Sequence, residues 1–108
     1  MKREIIKFDL TNYNALDYVD PKSGRHIKDE NLFVNENGDV ISTKHRNHKQ
    51  IKGTTLNGYK AIMIGDKQFV YLQRVVASMY KSAIDGKTNI RFIDGNKSNC
   101  AANNLEWY

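Results

Sequence analysis

The sequence predicts an α+β domain of small antiparallel hairpins packed on one main helix. Two observations predict it. Short β-prone runs flank turn residues at two places, and the apolar repeat then switches once from strand spacing to helix spacing. A chain of 108 residues supports one domain with a modest core, not two. We assign residues 1–108 to that domain, with 1–30 as an N-terminal strand and irregular extension and 31–108 as the patterned region.

The elements follow in order. "EIIKFDL", Glu4 to Leu10, reads as a strand. "TNYNALDYVDPKSGRHIKDEN" is polar and irregular, with turn signals at Asp20-Pro21 and Ser23-Gly24. "LFV" and "DVIST" flank "NENG", a hairpin around an Asn-Gly turn. "KHRNHKQIKGTTLNG" is a basic loop with room for a short strand. "YKAIMI" and "QFVYL" flank Gly65-Asp66-Lys67 and make a second hairpin. Leu72, Val75, Val76, Met79 and Tyr80 then fall on one helical face, and the helix is expected to run to "IDGK", where Gly86 can take the left-handed conformation. "NIRFI" is a strand, "DGNKSNCAANN" a long loop and "LEWY" a last short strand. The expected core is Leu32, Val34, Val40, Ile41, Ile62, Ile64, Val70, Leu72, Val75, Val76, Met79, Ile90, Phe92, Leu105 and Trp107.

Composition excludes several classes. The apolar runs are a few residues long, whereas a membrane span needs about 20. "MKREIIKFDL" mixes charges into its apolar residues, so it is not a signal peptide. Cys100 is alone and makes neither an internal disulfide nor a cysteine-based zinc site, which suits a reducing cytoplasm. His45 and His48 have an H-x-x-H spacing, but in a lysine-rich loop without cysteines or clustered acids that is a poor zinc site. No cofactor is expected.

Net charge is +5, from 17 Lys and Arg against 12 Asp and Glu. Its distribution says more than its size. No acid lies between Asp39 and Asp66, while Lys44, Arg46, Lys49, Lys52 and Lys60 all fall there. Such a run is either a solvated loop or a face for an anionic partner.

The ending is the most specific part. Asp94-Gly95-Asn96-Lys97, Asn99 and Asn104-Leu105-Glu106-Trp107 stand at the offsets of an HNH motif. With "FVNENGDVIST" and "LNGYKAIMIGDKQFVYLQRVVASMY" before them, roughly the last seven-tenths of the chain resembles a phage-type or homing-type HNH endonuclease domain. That resemblance implies a ββα-metal site. Such a site needs an acid or amide ligand for a divalent metal, a neutral histidine next to it as general base, and a further ligand on a following helix. Here the first position corresponds to Arg91 and the histidine to Phe92. The histidine that often opens the preceding helix corresponds to Gln73, and the chain ends at Tyr108 before any further helix. Asn104, which would orient the histidine, is kept. The asparagines of the loop are either catalytic remnants or bridges between backbone groups.

The resemblance with these departures implies a catalytically inactive HNH-like protein of a phage or mobile element, not an enzyme. Its partner would be nucleic acid, DNA first, held by Lys44, Arg46, Lys49, Lys52, Lys60, Arg74 and Arg91. Arg91, Phe92 and Asn104 would be vestigial catalytic positions. The alternative is a phage-type inhibitor, anti-defence or host-takeover, that binds a host protein or a small anionic nucleotide. No membrane partner is expected, and the location would be the cytoplasm, of a bacterial host if the chain is phage-encoded. The Glu4–Leu10 strand could cover the hairpin surface left bare by the absent helix, within one chain or across a homodimer.

Overall fold

The computed structural model describes residues 10–44, 48–65 and 68–108. All of the expected first strand except Leu10 lies outside them, as do His45 and Arg46. Three antiparallel sheets surround one helix. The first has four strands in sequence order: β1 (Tyr13–Val19), β2 (His26–Asn35), β3 (Val40–Ser42) and β4 (Lys49–Ile51). The second has three, β5 (Thr54–Leu56), β6 (Tyr59–Ile64) and β7 (Gln68–Tyr71). The helix α1 (Leu72–Tyr80) follows, and then a two-stranded hairpin of β8 (Ile90–Phe92) and β9 (Leu105–Trp107). The mixed α+β class is as the sequence predicts.

The longest hairpin, β1–β2, occupies the stretch expected to be irregular. A sheet with one solvated face needs apolar residues only at alternate positions. Leu16 and Tyr18 on β1 and Ile27, Leu32 and Val34 on β2 supply them, and all five are buried. The alternation is hidden in the sequence by a bulge. Ala15 pairs with Phe33, but Leu16 pairs with Asp29 and not with Leu32. The turn signals at Pro21 and Gly24 sit where the hairpin closes, with the Gly24 N–H donating to the Asp20 carbonyl at 2.7 Å.

The other hairpins follow local chemistry. The turn of "NENG" joins β2 to β3, and Val34 lies opposite Val40. Leu56 pairs with Tyr59 across Asn57-Gly58, both with positive φ (54° and 84°). Two consecutive left-handed residues define the tight turn that matches strand twist, and Asn-Gly adopts it at least cost. Its first strand and its turn lie inside what reads as a basic loop, and its second strand is the expected "YKAIMI". Just before it, Gly53 (φ 74°) brings the backbone so close to β6 that a Cβ would stand 2.5 Å from the Ala61 carbonyl oxygen.

Helix α1 buries Leu72, Val75, Val76 and Ala77, with Met79 and Tyr80 half-buried against the core. It ends at Tyr80, short of "IDGK". Lys81 is already extended (φ −119°, ψ 139°), and its ammonium donates to the Ala102 carbonyl at 3.1 Å. Gly86 does take positive φ, but in the turn beyond. Leu105 and Trp107 pack from below, while Met79, Ile90 and Phe92 are half-buried at the margin and not central as expected.

One polar contact crosses these layers. The Arg74 guanidinium, on α1, pairs with the Asp20 carboxylate in the β1–β2 turn. It also donates to the Thr88 carbonyl at 2.6 Å and lies 5.7 Å from the centre of the Trp107 ring. Burial works to raise the Asp20 pKa, but the hydrogen bonds from Arg74 and the Lys22 N–H, with the Arg74 charge, outweigh it and hold the carboxyl below its ordinary value. A carboxylate depressed in the folded state stabilises at pH above the unfolded value, about 3.9, and that contribution is lost as pH falls through the folded value. The urea midpoint should therefore hold from pH 7 to about 5 and fall below about 4. Asp20→Asn should cost about 2 kcal/mol at pH 7 and show a shallower acid decline. An acid decline as steep as wild type in Asp20→Asn would remove this pair from the account.

Candidate functional site

The C-terminal hairpin and its loop make the site. β8 and β9 pair Ile90 with Trp107, Arg91 with Glu106 and Phe92 with Leu105. Successive residues alternate faces, so Phe92 follows Leu105 toward the core and Arg91 follows Glu106 outward. The loop between the strands is folded around Asp94. Its carboxylate accepts from the Asn96 N–H (2.7 Å), the Asn104 amide (2.8 Å) and the Asn99 amide (3.1 Å). Asn104, itself buried, returns the contact: its side-chain oxygen accepts from the Asp94 N–H at 2.9 Å, and its amide also donates to the Asn99 carbonyl at 3.0 Å. Those donors, the Asn96 N–H first, hold the Asp94 pKa below its ordinary value. Asn96 and Asn99 each accept a backbone N–H two residues on, as loop-bridging asparagines do.

Arg91 and Phe92 stand on this frame with partners of their own. The Arg91 guanidinium bonds Glu106 at 2.6 Å and lies 6.0 Å from the centre of the Tyr108 ring. Glu106 raises the Arg91 pKa, and Arg91 lowers that of Glu106. The Phe92 ring stacks on Tyr59 of β6 at 6.0 Å between centres and 22° between planes. Tyr59 in turn meets Tyr71 edge-on at 5.7 Å, and the Lys97 ammonium lies 4.9 Å from the centre of the Tyr59 ring.

These residues do not fit the divalent metal of a ββα-metal site. A guanidinium has no lone pair to offer and a phenyl ring accepts no proton. The Asn104 amide, which could bring an oxygen, is committed to the loop. Among the described residues, no three His, Cys, Asp or Glu side chains come together as a metal-holding group. Cys100 is buried, and burial raises its thiol pKa, which disfavours the nucleophilic thiolate.

The expected cationic residues divide into two sets. Lys49 and Lys52 are exposed, on the edge strand β4 and just beyond it, and Lys60 is half-buried on β6 opposite Thr55. They lie along the path from the first sheet into the second. Lys44 is exposed beside Asp29 and Glu30, which line one groove with it, so its charge is partly countered. Arg46 lies outside the described residues. Arg74 is corrected: its guanidinium is turned inward and engaged by Asp20 and Thr88, so it adds no open charge to the surface. Arg91 is exposed but paired. Lys97 was missed by sequence reasoning, because only the folded loop brings it beside Gly58 and Tyr59. Gln73 is buried, and its side-chain oxygen finds no hydrogen-bond partner among the described residues.

Residues 70–108 match the family model for HNH endonucleases. The chain carries an HNH-type domain. The solved structure of the HNH homing endonuclease I-HmuI, described for its DNA binding and cleavage, is similar at 26% identity with a TM-score of 0.54. The similarity covers 71% of this chain and 45% of that one, so the chain spans less than half the length of the homing endonuclease. No curated protein sequence matches the chain. No helix among the described residues is long and apolar enough to cross a membrane.

Asn104 holds the HNH-type loop together through three side-chain hydrogen bonds. Each contributes on the order of 1 kcal/mol net. Asn104→Ala should therefore lower unfolding free energy by roughly 2–3 kcal/mol in urea melts. Asn103→Ala, at the exposed neighbour, should change it by under about 0.5 kcal/mol. Equal effects at the two positions would contradict a structural role for Asn104.

Proposed function

We propose that this chain is a nucleic-acid-binding protein built on an HNH nuclease-like domain that does not itself cut. The observation that carries the proposal is the occupancy of the two chemical positions. Arg91 is tied to Glu106 and Phe92 is stacked on Tyr59, while the loop that would orient a catalytic histidine stays intact through Asn104. Such an arrangement retains the scaffold and supplies neither metal ligand nor base.

Binding is supported by charge and by likeness. The interval from residue 40 to residue 65 contains no acid. Lys49, Lys52 and Lys60 come from it, and Lys97 joins them from the loop. Lysines gathered on adjoining strands and loops repel one another, whereas a polyanion turns them into affinity by releasing its counterions. The similar solved structure is that of a DNA-binding enzyme, which makes duplex DNA the first ligand to test.

The lysines should act through phosphates and not through sequence. Lys49→Ala with Lys52→Ala should weaken duplex binding to a similar extent on unrelated sequences, read by fluorescence anisotropy. The slope of log affinity against log salt should flatten by roughly 0.9 for each phosphate that the variant no longer neutralises. Wild-type protein that leaves every duplex and single strand unbound at low salt would end the nucleic-acid reading.

A further inference from the structure

The outer face of the second sheet carries a row of rings that the electrostatic reading does not use. In β6, Ile62 and Ile64 point into the core, so Tyr59 and Met63 lie on the opposite face, with the small, fully buried Ala61 between them. Directly opposite on β7, Phe69 pairs with Met63 and Tyr71 with Ala61. Phe69 is 43% exposed and Met63 45%, large values for apolar side chains in paired strands. Tyr59 and Tyr71 are half-buried on the same face, packed edge to face, and Asn57 holds the Tyr71 hydroxyl at 2.9 Å. The Phe92 ring of β8, packed against the core, backs Tyr59 at one end, and the Lys97 ammonium lies over the Tyr59 ring.

Such a face has two simple uses, burial against an apolar partner or stacking of planar groups. The surrounding charge selects the second. Lys52 leads into this sheet, Lys97 lies over Tyr59 and Arg25 lines a groove with Phe69, against Asp29, which accepts from the Gly65 N–H at the far end of β6. An apolar protein surface would be opposed by those cations. A nucleic-acid strand with unpaired bases matches both features, because its phosphates meet the lysines and its base faces meet the rings. A duplex matches only the first, since its base faces are stacked on one another.

The geometry points to the outer face of β6–β7 as a platform for unpaired nucleotides, with Phe69 as its open stacking ring and Lys97 as a phosphate contact. This deepens, and rests on, the nucleic-acid reading above. Phe69 is the residue to test. It is 43% exposed and, among the described residues, shows none of the ring contacts that tie Tyr59 to its neighbours, so its replacement disturbs the sheet least.

The experiment measures anisotropy of a labelled 20-nucleotide single strand and of the matching duplex, with wild type, Phe69→Ala and Phe69→Tyr, and the mass of each protein in solution. Loss of a stacking ring weakens binding by roughly five- to one-hundred-fold per base. Phe69→Ala should show that loss on the single strand and change duplex affinity less than about twofold, and Phe69→Tyr should restore it. Single-strand affinity unchanged in Phe69→Ala overturns the platform. So does an equal loss on both substrates, or a wild-type dimer that Phe69→Ala dissociates without touching single-strand affinity. Wild-type protein that binds duplex but not single strand sinks the platform alone. Binding to neither sinks the broader reading with it.

Discussion

The guanidinium of Arg74 reaches three pieces of the fold at once. It pairs with Asp20 in the β1–β2 turn, bonds the Thr88 carbonyl that leads into β8, and covers the Trp107 ring of β9. Apolar packing alone would allow these small sheets to slide on the helix, because hydrophobic contact is not directional. A planar fork with fixed donors is directional, and a largely buried one is costly to leave unpaired. Arg74 therefore sets the position of the N-terminal hairpin relative to the HNH-type ending. The same commitment removes it from the surface, which is why a cation that looks available in sequence is not available in space.

The second constraint is local. Asp94 and Asn104 exchange hydrogen bonds across the loop between β8 and β9, and Asn96 and Asn99 hold the backbone between them. This frame needs neither a metal nor a histidine, since Asp94 and Asn104 find their partners within the loop. Phe92 contributes packing, and its stacking on Tyr59 joins the hairpin to the second sheet. The loop in turn delivers Lys97 to that sheet. Motif residues and new surface properties are thus parts of one construction.

The sequence made some of this legible and concealed the rest for physical reasons. The helix face of Leu72, Val75 and Val76 was readable, since a 3.6-residue period has few other origins. So were the hairpins around "NENG" and Gly65, and the ending through Trp107. The β1–β2 hairpin was not, because the bulge that leaves Glu30, Asn31 and Leu32 of β2 extra opposite the Ala15–Leu16 step breaks the alternation that marks a strand. Asn57-Gly58 was a readable turn that the surrounding lysines obscured. In the site, the identities of Arg91, Phe92 and Asn104 could be read, but their partners Glu106, Tyr59 and Asp94 could not. Arg74 and Lys97 exchanged roles for the same reason. Charge is a property of sequence, while its neutralisation or exposure is set by what the fold places beside it.

The central claim is a nuclease-like scaffold that binds without cutting. Supercoiled plasmid incubated with the purified protein at low salt, with Mg²⁺ or Mn²⁺ supplied, tests it most directly. The account predicts retarded plasmid that returns fully supercoiled once the protein is removed, over a range of protein concentrations. Metal-dependent conversion to nicked or linear plasmid that tracks the protein through purification and is abolished by Asn104→Ala would contradict it.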